Sequence, residues 1–508
     1  MNKMSRTHPL DLHEILSIIA RSLCPRDIAS CARVSQDWNN SFTPALYEYV
    51  EVSEDQDGLS MDFFKKHKQF VKRLTIQGCP YRYDPAASVG DGVITCVMAN
   101  STLTTLGIDF CVLKDEGAHA LSEALKTNST LTALLLKENT FEDQGLQVLS
   151  EAFKINSTLI TLSLIANFFI PEQGTQALFE ALKTNSTLTT LNMHGNSTRH
   201  NGAQALSEAL KINSTLTTLD LQSNSIGDNG AQALSEALKS NSTLATLSLQ
   251  SNSIGDDGAQ ALSEALKSNS TLTTLNLRSN SIGDNGARAL SEALKINSTL
   301  TTLDLWRNSI GDSGAQALSE ALKINSALTT LDLEWSSIGE NGAQALSEAL
   351  KINSALTALK LSSNPIGDNG AQALSEALKT NSTLTTLNLQ SNSIGDNGAQ
   401  ALSEALKINS TLTTLGLQRN SIGPNGAQAL SEALKINTTL TTLGLQVNPI
   451  GENGAQALLE ARMINSTVVY FIVSTPIATF NDITYAVSLE LSQLVLQEHR
   501  PLLSVPFG

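Results

Sequence analysis

The sequence predicts an α/β solenoid, a horseshoe with parallel strands inside and helices outside, preceded by a small all-α module. Three observations carry this. One phrase recurs at a step of 28 residues, broken once by a step of 29, in thirteen full copies from Leu103 to the copy that starts at Leu440. Each copy pairs leucines at strand spacing with an apolar stripe at helix spacing. Residues 9–47 show helical periodicity and contain no copy of the phrase. A length of 508 residues would otherwise suggest about three globular domains. A fixed internal period overrides that prior, because a repeat array lengthens without dividing.

The repeat that starts at Leu216, LTTLDLQSNSIGDNGAQALSEALKSNST, shows the logic. Leu216, Leu219 and Leu221 set a strand with its leucines inward. Asn224 follows at the turn, where its amide can bond the backbone of stacked neighbours, as a buried irregular turn requires. Asp228 stands at a helix start, where it can accept orphan amide protons and oppose the helix dipole. Ala231, Leu234, Ala237 and Leu238 then form one helical stripe, leaving Gln232, Ser235 and Glu236 toward solvent. The recurrent Asn-Ser-Thr, as at Asn213, is formally a glycosylation acceptor. Its expected role is to end a helix and turn the chain into the next strand.

No single repeat can bury both of its apolar faces, so the copies must stack. The pattern L-x-x-L-x-L-x-x-N-x-I resembles the leucine-rich repeat. The 28-residue helical version is similar to the ribonuclease-inhibitor subtype, which NOD-like receptors often carry. The resemblance covers roughly residues 70–473. Val71, Leu74 and Ile76 make a divergent opening half-repeat, and Val468, Phe471 and Val473 start a closing one. The boundaries that follow are a helical module over 1–47, a linker and helix over 48–70, the solenoid over 71–473 and a C-terminal cap over 474–508.

Composition narrows the function. A formal charge of −15 argues against general affinity for nucleic acid or anionic lipid. The five cysteines, from Cys24 to Cys111, are odd in number and show no C-x-x-C spacing, so neither a disulfide framework nor a zinc site is expected. The opening MNKMSRTHPLDLHEIL shows no leader pattern, and no apolar run reaches membrane-spanning length. A cytoplasmic or nuclear chain with no membrane partner is therefore expected. No G-x-x-x-x-G-K-[ST] occurs, nor a nucleophile elbow. His194 and His200 share an irregular repeat with Arg199 but have no carboxylate or cysteine companions, so no metal or catalytic site is assigned. The chain reads as non-enzymatic, with no cofactor.

The N-terminal module carries its own signature. Ile15, Ile19 and Leu23 share one helical face. Pro25-Arg26-Asp27 starts a second helix, followed by Ile28, Cys31, Val34 and Trp38. The segment DIASCARVSQDW at 27–38 resembles the D-L-x-x-L-x-x-V-S-x-x-W region of the F-box family. That family opens with Leu-Pro two residues before its Glu-Ile, where this chain has Asp11-Leu12, with Pro9 displaced. The resemblance implies docking of a Skp-type adaptor through Ile15, Ile19, Leu23, Ile28, Val34 and Trp38. The chain would then be the substrate-recognition subunit of a cullin–RING (SCF-type) ubiquitin ligase. The same apolar helices could instead form a plain cap on the array.

The array's inner face is where a target would bind. Copies can be compared at the residue after the third leucine, where glutamine is the default. Successive departures occur at Arg278, Trp306 and Glu334, and the next position, where serine is the commonest residue, holds Arg307 and Trp335. Asp304, Asp332 and Lys360 lie between the leucines of the same region. Two of the chain's three tryptophans thus fall in adjacent repeats. Indoles mixed with charges of both signs match the composition of binding hot spots. The expected target-binding set is Arg278, Asp304, Trp306, Arg307, Asp332, Glu334, Trp335 and Lys360. Asp304 beside Asp332 is a like-charge pair that Lys360 could offset. Two alternatives to the ligase reading remain, a stand-alone scaffold or inhibitor and a regulator of a small GTPase similar to the Ran GTPase-activating family.

Overall fold

The computed structural model describes residues 49–53, 68–77, 94 and 100–472, apart from positions 114, 142–143, 168–169, 171, 466 and 468–469. The F-box-like module, with Ile15, Ile19, Leu23, Ile28, Val34 and Trp38, lies outside the described residues, as does the expected cap over 474–508. The chain divides into two compact units, residues 1–282 with 292–303 and residues 283–291 with 304–508.

In the first unit, parallel strands pair in chain order: Tyr49–Ser53, Arg73–Gln77, Thr105–Asp109, Ala133–Lys137, Thr161–Ser163, Thr190–Asn192, Thr218–Asp220, Thr246–Ser248 and Thr274–Asn276. In the second unit, Thr330–Asp332, Ala358–Lys360, Thr386–Asn388, Thr414–Gly416, Thr442–Gly444 and Tyr470–Ile472 pair likewise. The sheet begins earlier than the sequence places it. Tyr49–Ser53 (YVEVS), expected in a linker, pairs in register with Arg73–Gln77, because its alternating valines suit a strand. Of the helix expected to lead into the solenoid, the described residues Lys68–Phe70 form a short 3-10 turn.

In each of the thirteen full repeats a helix follows the strand, such as Gly227–Leu238 after Thr218–Asp220. Leu216, Leu219, Leu221, Ala231, Leu234, Ala237 and Leu238 are all buried, so both layers of the repeat close on one core. Each buried leucine contributes about 2 kcal/mol. Ser235, expected in solvent, is buried instead, with its hydroxyl donating to Gln232 O at 2.7 Å. A side chain this small lets successive helices approach. On the outer surface Lys351 donates to Glu348 Oε1 at 2.7 Å and, with its charge, holds that carboxyl below the usual carboxylate range. Such exposed pairs add little stability.

Two asparagine ladders join the repeats. Asn252 Nδ2 donates to Leu221 O at 2.8 Å, and its Oδ1 accepts the Asn224 and Ile226 amides at 3.0 and 3.3 Å. Asn241 Nδ2 donates to Leu210 O at 2.8 Å, and its Oδ1 accepts the Thr243 and Leu244 amides that open the next strand. This second ladder is the work of the Asn-Ser-Thr phrase. The aspartate acts differently from expectation: Asp228 Oδ1 accepts from Gly255 N at 2.7 Å and Gly258 N at 2.9 Å, capping the next repeat's helix and not its own. Asp228 already lies within its own helix, so its side chain projects sideways across the stack and away from its own orphan amides. Glycine is required at the receiving end, because a Cβ on Gly258 would stand 2.6 Å from Asp228 Oδ1 and 3.1 Å from Ala231 Cβ.

Candidate protein-interaction surface

In each of the thirteen full repeats the strand runs into the same tight turn. The residue two after the third leucine is left-handed throughout, with φ from 51° to 73° over positions such as Gly195, Ser223, Ser279, Arg307, Trp335 and Val447. Stacking imposes this backbone: Arg307 N–H donates to Glu334 O at 2.8 Å, and Trp335 N–H to Ser362 O at 2.9 Å. Short side chains tolerate such a conformation, whereas for a bulky one it is an outlier costing about 1 kcal/mol or more. Arg307 and Trp335 both adopt it, at φ 55°.

This geometry refines where the predicted residues sit. Trp306 is half-buried two residues past the end of its strand, while Trp335 lies one position further along the turn and is 58% exposed. The two indoles therefore occupy neighbouring columns. Plain strand alternation put them on one face, but the left-handed residue redirects the second. Arg307, exposed, precedes Trp335 in its column. Arg278 belongs to the first compact unit, where its amide donates to Asn276 Oδ1 at 3.0 Å.

The acidic residues behind these side chains are engaged within the second unit. Asp304 Oδ1 accepts the Trp306 amide and Asp332 Oδ1 the Glu334 amide, each at 3.1 Å, so both aspartates shape the strand-to-turn junction. Asp332 is 1% exposed, and its Oδ2 receives Lys360 Nζ at 3.2 Å from the partner position on the adjacent strand. Glu334 Oε1 accepts from Ser362 Oγ at 2.8 Å and from Asn388 Nδ2 at 2.7 Å, two strands away. Asn388 and Ser362 were not singled out in the sequence. No motif announces a bond that spans 54 residues.

The same place breaks the asparagine ladder. Where its neighbours have asparagine, this repeat has Ser336, fully buried, with its Oγ held only by a long 3.4 Å bond to Glu334 O. Leu305 O, which a longer amide would reach, is instead met by Asn308 Nδ2 of its own turn at 2.9 Å.

A family model described as the NLRC3 LRR domain matches residues 194–475, just over half of the chain, and a leucine-rich-repeat model matches 99–122 and 127–150. The chain belongs to the NLRC3-type leucine-rich-repeat family. Among solved structures, the chain is similar to leiomodin-1 actin-binding site 2, with 26% identity, 35% of this chain and 95% of that chain covered and a TM-score of 0.26. It is also similar to an internalin (inlF) from Listeria monocytogenes, with 19% identity, 77% and 90% covered and a TM-score of 0.44. No curated protein matches the sequence. As an NLRC3-type leucine-rich-repeat solenoid, the chain is a protein-interaction scaffold. Among the described residues, no helix of this repeat protein is long and apolar enough to cross a membrane.

Proposed function

We propose that the second compact unit binds a protein target through Trp306, Arg307 and Trp335, with Asp304, Asp332, Glu334 and Lys360 holding the surface from behind. One observation carries this reading: several stability-costing features coincide in two successive repeats. Arg307 and Trp335 occupy left-handed positions where serine is the commonest residue, in five of the thirteen copies. A ladder asparagine is replaced by Ser336, and Asp332 is desolvated against Lys360. Local costs of this kind are retained where function needs them. The finer reading is that the module at 9–47 docks a Skp-type adaptor through Ile15, Ile19, Leu23, Ile28, Val34 and Trp38, making the chain the target-recognition subunit of a cullin–RING ligase. The DIASCARVSQDW segment supports it.

Two experiments address the two parts. Trp306→Ala with Trp335→Ala is expected to abolish co-purification of target proteins from cell extract while shifting unfolding by less than about 1 kcal/mol, as surface truncations do. An unchanged set of co-purifying proteins would refute the surface. A purified Skp-type adaptor is expected to be retained by the full chain and lost with Val34→Asp. No retention by the parent chain ends the ligase reading and leaves the target surface standing.

A further inference from the structure

The left-handed column of the second compact unit differs chemically from that of the first. In the second unit it runs Arg307, Trp335, Ser363, Ser391, Arg419, Val447. Both arginines are exposed, Trp335 is 58% exposed and Val447 57%. Among the described residues, neither Arg307 nor Arg419 has an ion-pair partner. In the first unit the column holds Phe110, Glu138, Ala166, Gly195 and serines, with no cation.

The two acids of the repeat next to Arg307 are committed elsewhere. Asp332 is buried under Lys360, and Glu334 Oε1 takes two hydrogen bonds from Ser362 and Asn388. In a chain of net charge −15, this column is an exposed line of cations and apolar side chains. The left-handed backbone displays them, and from Arg307 to Arg419 each is held by a carbonyl of the next repeat.

We infer that the target segment is an acidic, extended polypeptide lying across this column, with carboxylates on Arg307 and Arg419 and an apolar side chain on Trp335. The inference rests on the second unit being the target-binding part. Guanidinium groups pair with carboxylates in a bidentate fork, which favours arginine over lysine here. Strands stand about 4.8 Å apart, so the four steps from Arg307 to Arg419 span roughly 19 Å. An extended peptide rising about 3.3 Å per residue covers that distance in about six residues. Ser363 and Ser391, half-buried between the two arginines, offer hydroxyls to the intervening peptide backbone. A nucleic acid could also meet arginine and indole. Two cations on a strongly acidic chain are nevertheless a weak basis for phosphate binding, which draws on many.

The test is to pan a random dodecapeptide library on the full chain. Enriched peptides are then measured on the parent, on Arg307→Glu/Arg419→Glu, on the charge-neutral Arg307→Gln/Arg419→Gln and on Trp306→Ala/Trp335→Ala. Circular dichroism confirms that each variant is folded. The expected result is peptides with two acidic residues about six apart around an apolar one, bound about tenfold or more weaker by both arginine variants. Enrichment of basic or neutral peptides, no enrichment, or equal binding to the arginine variants overturns the inference. So does equally tight binding of an oligo-dT twelve-mer. Peptides that need the tryptophans but not the arginines overturn the acidic segment and leave the target surface intact. Peptides that need neither remove both.

Discussion

Asn364→Ala is expected to destabilise the second unit by about 3 kcal/mol, a large loss for a single polar substitution. Asn364 Nδ2 donates to Leu333 O, Leu361 O and Ser362 O at 2.8, 3.0 and 3.2 Å, and its Oδ1 accepts the Ser336 and Ile338 amides at 3.0 and 2.9 Å. Alanine leaves those two buried N–H groups with no acceptor, at about 1–3 kcal/mol each. Ser336 cannot compensate, because its own hydroxyl already falls short of the neighbouring repeat. Opening in a repeat array need not be all-or-none, so amide hydrogen exchange is the sharper readout. Exchange at Ser336 and Ile338 should quicken by about a hundredfold, the factor that about 3 kcal/mol implies. A change under about fivefold would show that the ladder contributes little.

Lys360→Ala is expected to cost about 2 kcal/mol. It leaves the Asp332 carboxylate, 1% exposed, without the ammonium at 3.2 Å. Breaking a fully buried pair costs about 3–5 kcal/mol. The Lys360 side chain is 39% exposed, so water replaces part of the loss and the figure falls below that range. Asp332→Asn keeps an oxygen for the Glu334 amide. Added to Lys360→Ala, it should recover at least half of the loss, because the stranded charge is gone. A double-mutant cycle by chemical denaturation measures the coupling. A Lys360→Ala chain within about 0.5 kcal/mol of the parent would mean that solvent alone satisfies Asp332.

Much of the fold was legible because the repeat prints its own period. Leu216, Leu219, Leu221 and Asn224 sit where the spacing put them, and thirteen copies leave no ambiguity of register. Hidden were the bonds that pass between copies. Nothing local says that Asp228 caps the following helix, or that Ser235 is buried where helices approach. The short strand Tyr49–Ser53 matches no copy of the phrase, yet it pairs with the sheet. At the surface, comparison of copies found Trp306, Arg307 and Trp335. Strand alternation could not show that Trp335 stands in a left-handed turn, since that conformation comes from the stack. Arg419 and Val447 were visible as departures from serine in the same column, and their meaning emerged only once the column was seen to be exposed.

The most direct measurement returns three residues to the array's own default, with Arg307→Ser, Trp335→Ser and Ser336→Asn in one chain. Serine relieves two bulky left-handed residues, and asparagine restores the ladder toward Leu305 O. Thermal unfolding and quantitative co-purification of target proteins are then read on the same preparation. The expected result is a higher melting temperature together with loss of the co-purifying proteins, because the departures are kept for binding at a cost in stability. A chain that still captures the same proteins, whatever its melting temperature, would contradict that claim.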